Sequence, residues 1–160
     1  MAVHKLVFDD FLTVDYGLIA IHSSIEDYRL AYFINRELEL RLEKSADIHC
    51  KIPAGDSCFS RYIFMDESTD CSWNLIQNKN VIARSGADAT SLFHEGGLSF
   101  TTTAYLMPEL KKVDYILKVE NPHTPTMLDE TVKKLLSFQH ISTAYKPDVH
   151  TLKYKNNLIF

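Results

Sequence analysis

Chemistry in this chain would have to come from a few serines, histidines, cysteines and acids, and their spacing decides what each can do. Ser57 follows a glycine and an acid in Gly55-Asp56-Ser57-Cys58. A serine becomes a nucleophile only with a base in hydrogen-bond reach and donors aimed at the developing oxyanion. The nearest acid–histidine pair to serve it is Asp148-Val149-His150. His94-Glu95-Gly96-Gly97-Leu98 begins like a zinc-binding helix, which needs two imidazoles one helical turn apart. Position 98 is leucine and the two glycines oppose a helix, so a loop is expected there. Cys50, Cys58 and Cys71, with His49 and His94, hold the right atoms for zinc but no Cys-x-x-Cys knuckle. Cys50 continues an apolar strand face and Cys71 alternates with Trp73 and Leu75, so small buried thiols are expected. Asp66, Glu67 and Asp70 lack the ligand order and glycine of a calcium loop and read as a solvated hairpin turn. Gly86 and Gly96-Gly97 form no phosphate-cradling pattern. No catalytic residue, metal or cofactor is assigned.

The elements that must position these groups follow from hydrophobic period. Tyr16 to Ile21 is an apolar run of strand length, and Ser23 with Glu26 has capping-box spacing for a helix. Leu30, Ala31, Ile34 and Leu38 fall on one face of that helix, with Tyr28 and Tyr32 beside them. Leu38, Leu40 and Leu42 then alternate with charged residues, predicting a half-buried strand, and Ala46 to Ile52 continues the alternation. Pro53-Ala54-Gly55-Asp56 predicts a turn. Phe59 to Met65 and Cys71 to Gln77 predict two strands joined at residues 66–70, and residues 78–97 read as a loop with one short element around Ala89–Phe93. Leu98 to Leu106 and Val113 to Val119 predict two more strands. Thr124-Pro125-Thr126 opens a second helix, with Pro125 in its first turn, and Ile141 to Tyr145 returns as a strand. Helices near each end with antiparallel strands between them give an α+β class, mostly antiparallel, with two helices packed on one sheet face. The two β-α-β ends suggest a ferredoxin-like or ACT-like plan with a β insertion, an analogy that carries no function.

A single domain spanning residues 1–160 is expected from the length. Apolar residues are 46% and charged residues 24% of the chain, a globular balance, and the net charge of −4 offers no basic face for nucleic acid. The first residues carry acids where a secretory leader needs an apolar core, and no stretch reaches the ~18–20 apolar residues of a membrane helix. The expectation is a cytoplasmic protein with reduced thiols and neither nucleic acid nor membrane as partner.

One segment stands apart from composition and period: Met107-Pro108-Glu109-Leu110-Lys111-Lys112-Val113-Asp114-Tyr115. It resembles the signature of the IPExxxVDY family of uncharacterised bacterial proteins. Chain length, the Glu26–Tyr32 helix segment and the Asn157-Leu158-Ile159-Phe160 ending agree with that family. Met107 replaces its isoleucine, a similar apolar side chain. The resemblance implies a small protein without an assigned activity and supplies no catalytic residues. Physically, Pro108 cannot donate to a sheet ladder, so Pro108-Glu109 is expected to turn the chain between strands, with Val113 and Tyr115 on one strand face and Asp114 on the other. Met107, Pro108, Glu109, Val113, Asp114 and Tyr115 are then either a fixed turn that satisfies local backbone groups or a ligand or partner surface. The function expected is a small non-enzymatic binding or regulatory module with a protein or small-molecule partner. It would be homo-oligomeric, and would use an aromatic-lined sheet or its apolar C-terminal end. The alternative is a serine hydrolase using Ser57. A family of such enzymes carries Gly-Asp-Ser near its start and Asp-x-x-His near its end. Here Ser57 lies a third of the way along and Asp148-Val149-His150 is one residue short.

Overall fold

The structure, a computed structural model, describes residues 15–52, 55–85 and 99–160. Among these, β1 (Tyr16–His22) leads into α1 (Asp27–Leu38), followed by β2 (Glu43–Lys44), β3 (Ile48–Ile52), β4 (Gly55–Phe59), β5 (Arg61–Asp66) and β6 (Cys71–Gln77). Next come β7 (Lys79–Ser85), β8 (Ser99–Tyr105), β9 (Tyr115–Glu120), α2 (Met127–Leu136) and β10 (Thr143–Tyr145). Six strands form one sheet in the order β10-β1-β9-β6-β5-β2, antiparallel at every pairing. The hairpins β3–β4 and β7–β8 are separate two-stranded ribbons. The fold is α+β, with a mostly antiparallel sheet and two helices.

Strand alternation divides the core in two. Ile19, Ile21, Trp73, Leu75, Tyr115, Leu117 and Val119 point toward α1 and α2, where they meet Leu30, Ile34, Met127 and Leu135. Leu18, Ala20, Ile76 and Ile116 point the other way and pack with Phe59, Leu106, Met107, Val113, Leu152 and Leu158. The central strands are apolar on both faces because helices cover one face and ribbons, connecting segments and the C-terminal tail cover the other. Each fully buried aliphatic side chain contributes about 1.5–3 kcal/mol through removal from water. Close approach of α2 to β1 depends on Gly17, since a Cβ there would lie 2.1 Å from Leu128 Cδ1.

Local chemistry and tertiary contacts part ways in several places. Ser23 and Glu26 make no capping box. Glu26 is itself the N-cap without a side-chain capping bond, while the Ser23 hydroxyl donates to the His140 carbonyl at 2.7 Å. Leu38 ends α1, Glu39 is left-handed at φ 55°, and the alternating Leu40–Leu42 stretch is not a strand. The Asn35 amide brackets Leu42, donating to its carbonyl at 3.0 Å and accepting its N–H at 2.7 Å, so that segment is bound to the helix. The expected strand 59–65 is broken at Ser60 into β4 and β5. Gly55 and Asp56 belong to β4 and pair with Ile52 and Lys51 of β3, while residues 53–54 of the expected turn lie outside the described residues. The expected loop 78–97 contains strand β7, paired to β8, and residues 86–98, including His94, lie outside the described residues. Pro125 stands before α2, whose N-cap is Thr126.

Candidate functional site around Pro108–Tyr115

Pro108 occupies the first turn of a short 3-10 helix, Pro108–Leu110, where its missing N–H leaves no bond unmade. The segment is not a hairpin: β8 pairs with β7, β9 pairs with β1 and β6, and residues 106–114 cross from the ribbon to the central sheet. This crossing also alters the expected alternation. Val113 precedes β9 and packs with Leu106 and Met107 on the second sheet face, whereas Tyr115 lies beneath the helices. The structure thus corrects the placement of Val113 and Tyr115 on one face, because the strand begins only at Tyr115.

Glu109, Asp114 and Tyr115 each hold a different part of the chain. Glu109 accepts the backbone N–H groups of Lys153 at 3.0 Å and Tyr154 at 2.9 Å, fastening the C-terminal tail. Asp114 accepts the Ser23 N–H through Oδ2 at 2.9 Å and the Lys79 ammonium through Oδ1 at 2.7 Å. Tyr115 donates its hydroxyl to the Ile25 carbonyl at 2.7 Å, just before α1. Burial, with Asp27 and Asp114 adding negative charge nearby, pushes the Tyr115 phenol far above its ordinary value, so it stays a neutral donor. Met107 is fully buried and Pro108 half-buried.

The residue at the centre of this crossing carried no signal in the sequence. Asn78 is fully buried, and its amide donates to the carbonyls of Leu110 at 2.8 Å and Val113 at 2.9 Å. Its Oδ1 accepts the Met107 N–H at 2.9 Å, and its backbone bonds Leu106 and Asp114. Asparagine combines a donor and an acceptor in one plane, which suits a stretch of backbone outside any ladder. A single Asn in a polar stretch reads as loop, and the side-chain partners that make it a hub come from 29–35 residues away.

A cleft of about 390 Å³ adjoins Asp114, lined by His22, Ser23, Ser24, Gln139, His140 and Ser142. Most of its side chains already have partners. The Ser23 and Ser142 hydroxyls donate to backbone carbonyls, His140 lies 4.6 Å from the Phe33 ring, and His22 stacks on Tyr145. No serine–imidazole bond forms among these groups.

The other candidates are dispersed. Ser57 is 3% exposed in β4, and its hydroxyl accepts from the Asn80 amide at 3.2 Å instead of meeting a base. Asp148 caps its own turn by accepting the His150 N–H at 3.0 Å. Asp66 accepts from the Ser68 and Thr69 hydroxyls at 2.6 and 2.9 Å, which holds its carboxyl below the usual range. Cys71 is buried, Cys50 half-buried, and Cys58 exposed, so the expectation of buried thiols fails at Cys58. Lys118 is 5% exposed on the second sheet face, bonded to Glu120 and to the Leu158 carbonyl, with the Phe160 ring 5.0 Å away. That tail contact is a tertiary outcome with no local signature.

Compared with protein-family models, curated proteins and solved structures, the chain matches none.

Proposed function

We propose that this chain is a small non-enzymatic binding module that works as a homodimer through the outer face of α1. The observation that carries the reading is the exposure of Tyr28 and Tyr32, 60% and 61%, one helical turn apart on that face. Tyrosine is enriched at the centres of protein interfaces, because it offers a large rigid surface at small entropic cost. Motif polar groups Glu109, Asp114 and Tyr115 are spent on backbone and on Lys79, which favours a scaffold role for them over a catalytic one. The aromatic sheet residues Tyr62, Trp73 and Tyr115 lie under the helices, the Arg61 guanidinium lies 4.1 Å over the Phe160 ring, and Tyr28 and Tyr32 are the most exposed aromatic side chains among the described residues.

The helix dipole favours a second copy as the occupant. An antiparallel pairing of α1 about Tyr32 sets the N-terminal end of each helix beside the C-terminal end of the other. The same pairing brings Tyr28 of one copy near Arg36 of the other, a cation–π arrangement. The four tyrosines would bury roughly 500 Å², short of the ~1,000 Å² of a firm interface, so the dimer is weak and concentration-dependent. Membership of the IPExxxVDY family, suggested by residues 107–115, is part of this proposal. So is a ferredoxin-like plan: β9 and β10 run in the same direction on either side of β1, with α2 as their crossover.

Sedimentation velocity over a concentration series tests the reading. The native chain is expected to shift toward dimer, and Tyr28→Ser/Tyr32→Ser to remain monomeric with an unchanged unfolding midpoint. A native chain that stays monomeric throughout overturns it.

A further inference from the structure

The three thiols occupy distinct environments. Cys71 is 1% exposed beneath the helices and Cys50 is half-buried, and burial pushes both thiols above the ordinary cysteine value. Cys58 is exposed and lies directly across the β3–β4 ladder from His49, with Sγ 3.1 Å from Nδ1. The pair is held in place. The Asn80 amide donates to the Cys58 carbonyl at 2.8 Å, and Phe59, the next residue, is fully buried. An accessible thiol with an imidazole nitrogen in hydrogen-bond contact has a nucleophile and a base already positioned.

We propose that Cys58 and His49 form the reactive thiol site of this chain, which exchanges with small-molecule disulfides such as glutathione disulfide. As Cys58 Sγ attacks one sulfur of the disulfide, His49 Nδ1 accepts the thiol proton. A new S–S bond forms between Cys58 and one half of the reagent, and the reagent's own S–S bond breaks. The departing thiolate takes the proton from His49, so the disulfide is the oxidant and one small thiol is released. The product persists as a mixed disulfide. Cys50 pairs with Ser57, one position along the ladder from His49 and Cys58, so its side chain points to the opposite face of the ribbon and cannot displace the adduct.

The test uses the full native chain with glutathione disulfide, the adduct located by peptide mass spectrometry and the rate followed with an aromatic disulfide. One adduct per chain is expected, on Cys58, and none in Cys58→Ser. His49→Ala is expected to slow the exchange on the order of tenfold, below the roughly 10²–10⁴-fold of an enclosed general base because the pair is open to water. Added imidazole should restore the rate in that variant, which a merely structural contribution of His49 would not permit. Unfolding midpoints of both variants check that the fold is retained. Labelling of Cys50 or Cys71 in the native chain overturns the proposal, as does a Cys58 rate that His49→Ala leaves unchanged.

Discussion

Replacing Asn78 by alanine should be among the most damaging single changes in this protein, although no charge, aromatic ring or large apolar volume is lost. The side chain serves three backbone groups. Removing it leaves the Met107 N–H and the Val113 carbonyl without partners, while the Leu110 carbonyl keeps the Val113 N–H at 2.9 Å. Two buried polar groups left unpaired cost about 1–3 kcal/mol each, so the expected loss is about 2–6 kcal/mol. That is a large share of the ~5–15 kcal/mol that stabilises a typical domain. The urea midpoint should fall by roughly 1–3 M at the usual dependence on denaturant. Trp73, the sole tryptophan and 6% exposed beneath the helices, supplies the fluorescence signal for this measurement. Asn78→Asp sharpens the reasoning. It preserves an oxygen for the Met107 N–H but turns an anionic oxygen toward the Leu110 and Val113 carbonyls, so it should be at least as harmful as alanine. A loss below ~1 kcal/mol for both variants would refute the idea that this amide holds the crossing together.

Two further outcomes follow from the packing and the buried phenols. Gly17→Ala should cost about 1–3 kcal/mol by forcing Leu128 away from β1, and Leu128→Ala should relieve much of it; additive losses in a double-mutant cycle would contradict the close contact. Tyr16, Tyr62 and Tyr115 are all pushed above the ordinary tyrosine value by burial, reinforced by Glu120 at Tyr16 and by Asp27 at the other two. The fold therefore holds these protons after the unfolded chain has released them. Their contribution to stability is complete below pH ~10 and declines as pH rises past that value. Phenolate absorbance should show a late component in the native protein, reduced in Tyr115→Phe, and coincidence of native and denatured titrations would exclude it.

Much of the fold was legible because it is written in local period. The apolar run of β1, the Leu30–Ala31–Ile34 stripe of α1 and the alternation in β6 each bury the side chains their spacing selects. Alternation misled at Leu38, Leu40 and Leu42, where period alone cannot register that Asn35 binds Leu42 and holds the chain against the helix. It also misled at Val113 and Tyr115, because β9 begins only at Tyr115 and Val113 lies outside its alternation.

By itself the sequence determined an α+β class and a distinctive segment at residues 107–115, since both depend on short-range pattern. Only the tertiary structure decided what that segment does in the fold. Glu109 reaches residues 153–154, Asp114 reaches Ser23 and Lys79, and Tyr115 reaches Ile25, partners 35 to 91 positions distant. The pairing of Cys58 with His49 arises likewise from ladder register, which sets two residues nine positions apart directly opposite each other. A hydrogen bond is made by closeness in space, and strand pairing supplies that closeness where sequence spacing alone cannot.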